Sequence, residues 1–133
     1  MGQPEYPHAD ITESIIGAAM KVHTALGQGL LENCYRACVA HEIVRRGLRV
    51  EQELVVPVRY DDITIDTGLR LDLLVEKCVV VELKAIDRLL PIHEAQLHTY
   101  LRLTNCSVGL LINFNVQSLR DGIKRRILTP RSA

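Results

Sequence analysis

Tryptophan is absent from this 133-residue chain, and phenylalanine occurs once beside four tyrosines. So small an aromatic supply gives little with which to stack bases along a single strand. Net charge is missing too, with 16 basic residues against 16 acidic ones, so no bulk field announces a polyanionic partner. No apolar run approaches the roughly 18 residues of a membrane span. Cys34, Cys38, Cys78 and Cys106 include no CxxC pair, which argues against a disulfide scaffold and suits a reducing cytoplasm. Cys34, Cys38 and His41 share a helix face but lack a fourth zinc ligand, so they read as ordinary packing. The start, Met1 to Glu5, has no basic stretch followed by an apolar one, so secretion is not expected and a cytoplasmic location is. Repeats and low-complexity segments are also lacking. At 47% hydrophobic and 24% charged residues, the composition is that of one globular domain over 1–133, with a flexible N-terminus over 1–9 and a tail over 129–133.

What the chain does have is charge placed inside strand-like sequence. Arg70 to Lys84 carries Asp72, Glu82 and Lys84 among leucines and valines. Val79 to Val81 is β-branched and reads as a buried strand. Ionised groups there are costly unless they pair or bind a metal. Glu82 and Lys84 lie two apart and face the same way, with Leu83 opposite. If 71–75 and 79–84 form a hairpin turning through Glu76, Lys77 and Cys78, partner numbers add to 154 and Asp72 lies opposite Glu82. Their Cβ atoms would then be about 5 Å apart on one face. Adjacent carboxylates repel, and a divalent cation bridging them removes the repulsion. Mg²⁺ is commonly held by one or two carboxylates while keeping waters for phosphate. A one-residue slip would put Asp72 on the other face, so the expectation depends on the turn. The alternative is a solvent-facing hairpin with a cross-strand lysine pair.

The remaining pattern alternates helices and strands. A helix is expected from a cap at Asp10 or Thr12 to Leu26, with Ile15, Ile16, Ala19 and Val22 along one stripe. A second should run from about Leu31 to a C-terminal cap at Gly47. Strand sequence from Val50 to Tyr60 is interrupted by Pro57, and Asp61-Asp62 turns the chain before 63–66. Pro91 precedes a helix over about 93–103, Val108 to Asn113 is a strongly apolar strand, and a last strand is expected over 122–128. This order gives an α/β fold, a mixed β-sheet flanked by helices. Beyond Phe114, Arg120, Lys124, Arg125, Arg126 and Arg131 oppose one acid, Asp121. Lys124 and Arg125 therefore read either as phosphate contacts or as a charged edge strand that discourages aggregation.

Asp72 followed, after a hairpin, by Glu82-Leu83-Lys84 resembles the PD-(D/E)xK nuclease superfamily, the restriction-endonuclease-like phosphodiesterases, with Leu71 where that motif often has proline. Gly29-Leu30-Leu31-Glu32-Asn33-Cys34-Tyr35 resembles the signature of a small bacterial group within it, the GxxExxY proteins. Segments at 81–85, 93–96, 100–101, 109–114 and 121–125 look like the same group, so the likeness covers roughly residues 10–128.

The resemblance implies a restriction-endonuclease-like fold and a phosphodiesterase that cuts nucleic acid, DNA ahead of RNA, with a Mg²⁺-activated water and Mn²⁺ as substitute. Asp72, Glu82 and the Leu83 carbonyl would hold the metal, and Lys84 would assist the water. Read by itself, Glu32 makes an i,i+4 pair with Arg36. By resemblance it completes the metal site from the helix before the sheet. Tyr35 would contact phosphate or merely pack. Gln96 would orient the water, Tyr100 would meet phosphate, and His93 would approach it from the helix start. Restriction-like folds often act as dimers, so a homo-oligomer is expected. The alternative function is a catalytically inert module of the same fold that binds nucleic acid or self-assembles. A thiol enzyme built on Cys34 or Cys106 lacks a paired base.

Overall fold

A computed structural model describes residues 6–66 and 68–129. Eleven elements follow in order. Helices α1 (Ala9–Leu26) and α2 (Glu32–Arg45) come first, then strands β1 (Val50–Val55), β2 (Val58–Tyr60), β3 (Ile63–Ile65), β4 (Arg70–Val75) and β5 (Val79–Lys84). Helix α3 (Pro91–Thr104), strand β6 (Val108–Asn113), a 3-10 turn (Leu119–Gly122) and strand β7 (Ile123–Ile127) complete the fold. Five strands form one sheet in the order β1-β4-β5-β6-β7, and β2 pairs only with β3. The fold is thus α/β with a mixed sheet and flanking helices, as expected for a restriction-endonuclease-like architecture.

The single parallel contact of the large sheet joins β5 to β6, with α3 as the crossover. A parallel pair needs such a connection and is covered on both faces, which suits a continuous apolar run better than an alternating one. All six residues of β6 are buried accordingly. One layer packs Ile15, Ala19, Tyr35, Val39 and Ile43 of α1 and α2 against Leu73, Val81, Leu83 and Leu110. The other packs Leu97 and Leu101 of α3 against Leu74, Val80 and Leu111. α3 approaches closely at Gly109, where a Cβ would stand 2.8 Å from a Leu97 methyl. An ion pair between Glu94 and Arg126 ties α3 to β7.

Element ends differ slightly from expectation. α1 begins at Ala9 after His8 in a left-handed conformation, and Thr12 Oγ1 donates to the Ala9 carbonyl instead of capping the helix. Gly47, at φ 85°, takes the left-handed turn expected beyond α2. Of the segment expected to be flexible, residues 1–5 lie outside the described residues, whereas the Tyr6 ring lies 3.9 Å beneath the Arg125 guanidinium. Residues 130–133 of the expected tail also lie outside them.

Candidate active site

The turn over Glu76 and Lys77, both left-handed, closes the central hairpin with Leu73 opposite Val81, Leu74 opposite Val80 and Val75 opposite Val79. These pairs are in the register expected. The next pair would be Asp72 with Glu82, and there the backbone ladder stops. Side chains bridge the gap: the Asp72 N–H donates to Glu82 Oε2 at 2.7 Å, and the Leu83 N–H donates to Asp72 Oδ2 at 2.8 Å. Each carboxylate thus satisfies an amide that the parted strand would leave unpaired.

A distortion across β1 and β4 accompanies the parting. Gln52 pairs with Leu73 and Leu54 with Leu71, but Glu53, opposite Asp72, is skipped and has φ 50°. A non-glycine residue in that region stores about 1–2 kcal/mol. The strand's alternation breaks at the same level, since Leu71 and Leu74 both join the α3 layer while Leu73 faces the other. Asp72, two residues from Leu74 and so on the α3 face, opens into a cleft of about 390 Å³. Glu32, Arg70, Asp72, Glu82 and Lys84 line one side of it, and Ile92, Ala95, Gln96, Thr99 and Tyr100 of α3 line the other. The α3 positions follow helical spacing, so one stripe of that helix faces the carboxylates. Another groove, of about 310 Å³ between α1 and α2, is mainly aliphatic, and its Lys21 and Glu42 pair with each other at 3.1 Å.

Burial dominates the electrostatics. Glu82, 6% exposed, is pushed up to about 8 by loss of water and then by the Asp72 charge, against the Asp72 amide and Lys84, which pull it down. Asp72 is raised by burial too, opposed by the Leu83 amide, Lys84 and Arg36. Glu32, at the first position of α2, is raised by burial and by Asp72. The Tyr100 phenol is raised by burial and by both carboxylates, and its hydroxyl donates to the Arg70 carbonyl at 3.1 Å. Three acids and one lysine therefore feel one another where burial has removed part of their water, the condition in which a bound cation gains most.

Glu32, Asp72, Glu82, Lys84, Gln96 and Tyr100 are brought together, and the Leu83 amide reaches Asp72. Tyr35, His93, Lys124 and Arg125 are not. The Tyr35 ring is wholly buried and stacked 4.4 Å from Phe114, while its hydroxyl donates to the Gly27 carbonyl and accepts from the Leu30 N–H at 3.2 Å. It shapes the loop that delivers Glu32 and leaves no group for phosphate. His93 Nδ1 accepts the Leu90 N–H at 2.9 Å, satisfying an amide at the start of α3. Lys124 and Arg125 pair with Leu111 and Leu110 on the far side of β6, away from the cleft.

Two contributors escaped the sequence reading. Arg36 does not pair with Glu32 but bonds Asn33 Oδ1 at 2.7 Å and meets Glu53 at 3.4 Å, linking α2 to the distorted point of β1. Asn113, 2% exposed and opposite Lys84, accepts the Ile86 N–H at 3.1 Å and donates to the Ile86 carbonyl at 2.9 Å. It pins the backbone just beyond Lys84. A polar residue ending an otherwise apolar strand is the signal that marks it.

Among the described residues, no three carboxylate, imidazole or thiol groups converge on one point as a closed metal cage. Asp72 and Glu82 form an open pair, each with one oxygen given to a backbone amide and one remaining. An all-oxygen, two-carboxylate set open to water fits a hard cation such as Mg²⁺. The profile of the PD-(D/E)XK nuclease superfamily matches residues 9–126, a span that contains the whole cleft. No curated protein and no solved structure matches the chain.

Proposed function

The chain belongs to the PD-(D/E)XK nuclease superfamily, and from that premise we propose that it hydrolyses phosphodiester bonds of nucleic acid with the help of a divalent cation. Nuclease-type function and a nucleic-acid substrate follow from membership, and nucleases of this superfamily generally use divalent metal ions. The observation that carries the reading to this cleft is the opened hairpin, where Asp72 and Glu82 trade backbone amides beside Lys84.

Asp72 and Glu82 would hold the ion, Mg²⁺ or Mn²⁺ in its place, through the oxygens their amide bonds leave over. The Leu83 N–H points toward Asp72, and a strand residue turns its carbonyl to the same side as its N–H, so the Leu83 carbonyl would be a further ligand. Glu32, which lines the same cleft, would close the set from α2. When bound, the ion supplies a Lewis acid for the phosphate and lowers the pKa of a water. Lys84 places a positive charge beside the attacking oxygen and the charge that develops on phosphate. Gln96, whose side chain makes no hydrogen bond to another described residue, orients the water. Tyr100 donates its hydroxyl hydrogen bond to the Arg70 carbonyl and walls the cleft. Attack by water would leave a 5′-phosphate.

The spacing of Gly29, Glu32 and Tyr35 supports the bacterial GxxExxY group as the subfamily. DNA ahead of RNA rests on the resemblance alone, and a cytoplasmic site of action on the cysteine pattern and the sequence of residues 1–5; among the described residues no helix is long and apolar enough to cross a membrane. The inert-module reading is disfavoured by the burial of Glu82, a costly placement for a carboxylate without a ligand. The test is cleavage of single- and double-stranded DNA and RNA in Mg²⁺ and then Mn²⁺, with Lys84→Ala beside the parent. Cutting by the parent and loss in the variant supports the proposal. Failure of the parent on all four substrates with either ion rejects it.

A further inference from the structure

Two basic residues line the cleft, Lys84 of β5 and Arg70 at the start of β4. Counted on from the pairing of Leu73 with Val81, Arg70 falls opposite Lys84, as Asp72 falls opposite Glu82. A row of two carboxylates is thus followed, one pleat further on, by a row of two cations. Like charges directly opposite each other are destabilising. An anion between Arg70 and Lys84 removes their repulsion, as a cation does for Asp72 and Glu82.

The two cations are spent differently. Against the burial that raises Glu32, Asp72 and Glu82, Lys84 pulls all three down, whereas Arg70 is not among the charges that act on them. Arg70 is exposed and has no ion-pair partner among the described residues. Its charge is therefore free for something outside the chain. Guarding a sheet edge is not its task, because β4 lies between β1 and β5. Its backbone, by contrast, is fixed from two sides: Arg70 pairs with Val55 of β1, and its carbonyl accepts the Tyr100 hydroxyl of α3 at 3.1 Å. A guanidinium on so anchored a backbone is a prepared anion contact, always charged and able to grip two phosphate oxygens at once.

We propose that Arg70 binds the phosphodiester next to the one that is hydrolysed, an assignment that rests on the nuclease reading of the cleft. Two residues of a strand span about 7 Å, comparable to the step between successive phosphates along a nucleic-acid strand. A scissile phosphate at the Asp72–Glu82 pair therefore sets its neighbour at the level of Arg70, while Lys84 stays with the carboxylates. Such a contact carries no base information. It fixes the register of the strand in the cleft, so it acts on KM more than on the chemical step.

Two measurements test this together. One is fluorescence anisotropy of labelled DNA and RNA oligonucleotides, single- and double-stranded, in EDTA over a range of NaCl concentrations. The other is steady-state cleavage in Mg²⁺. Arg70→Gln should bind about tenfold more weakly at low salt, with a log–log salt slope shallower by about 0.7–0.9. It should cleave with KM raised about tenfold and kcat within about twofold of the parent's. Arg70→Lys should recover the slope but only part of the affinity, since a point charge does not replace the planar fork. Arg45→Gln, at the end of α2 remote from Glu32, should change neither. Thermal unfolding of Arg70→Gln should match the parent's, because Tyr100 holds the backbone carbonyl and not the side chain. Binding and cleavage by Arg70→Gln equal to the parent's overturn the proposal, and so does a loss that comes with a lowered unfolding midpoint. A parent that binds no oligonucleotide overturns it together with the nuclease reading. A parent that binds without cleaving, and binds more weakly in Arg70→Gln, supports the phosphate contact while rejecting hydrolysis.

Discussion

Changing Glu82 to glutamine should make the cation-free protein more stable at pH 8.5 while removing its function. Burial and the Asp72 charge push the carboxyl from an ordinary 4.5 up to about 8. Between those values the folded chain holds a proton that the unfolded chain has lost. The stability contributed by this group is therefore fully present below pH 4.5 and lost as pH rises through about 8. At about 1.4 kcal/mol per unit the whole displacement is worth on the order of 5 kcal/mol. Because the pair shares its repulsion, the substitution should recover about 2–4 kcal/mol of it. Glutamine keeps an oxygen to accept the Asp72 N–H, so the bond that bridges the opened hairpin survives. For a chain of 133 residues each kcal/mol moves the midpoint by about 3–4 °C. Scanning calorimetry in EDTA should place Glu82→Gln about 7–14 °C above the parent at pH 8.5, with the two converging near pH 4.5. Saturating Mg²⁺ should raise the parent and leave the variant unmoved, since the proposed site needs both carboxylates. Parallel midpoint curves across this pH range would refute the reasoning.

Three further outcomes follow from the packing and the cleft. Tyr35→Phe removes the proton given to the Gly27 carbonyl and the acceptor of the Leu30 N–H; urea unfolding should show a loss of about 1–3 kcal/mol, with any cleavage per folded molecule falling far less than it does in Lys84→Ala. Gly109→Ala drives a Cβ to within 2.8 Å of Leu97, and chemical denaturation should show about 1–3 kcal/mol of destabilisation. Asn113→Ala leaves the Ile86 amide and carbonyl without their side-chain partner; hydrogen exchange should speed at the Ile86 amide while those of β6 change little.

The central hairpin was legible because a three-residue turn and a two-residue side-chain period leave one register, and that register sets Asp72 opposite Glu82. The alternation of helices and strands made the mixed, helix-flanked sheet legible, but which strands run parallel, β5 with β6, came only with the fold. The opening of the ladder was not legible, because it comes with a left-handed Glu53 in a neighbouring strand, and no local pattern encodes that. Tyr35 and His93 fall on motif positions, yet the Tyr35 hydroxyl is taken by backbone at Gly27 and Leu30 and the His93 Nδ1 by the Leu90 amide. Spacing alone does not distinguish such a bond from a ligand. Lys124 and Arg125 lie near the chain's end, and only the strand order places β6 between them and the carboxylates. Arg36 presents the same difficulty, for its helical neighbour Glu32 is an adequate partner on paper, whereas the fold offers it Glu53.

The central claim is that the Asp72–Glu82 pair is where a divalent cation assists hydrolysis of a phosphodiester. Its most direct test is the cleavage rate in Mg²⁺ of parent and Glu82→Gln on one substrate, both shown to be folded at the assay temperature. A loss of about 10²-fold or more in a variant that is at least as stable as the parent is the predicted result. Equal rates in the two proteins would contradict it.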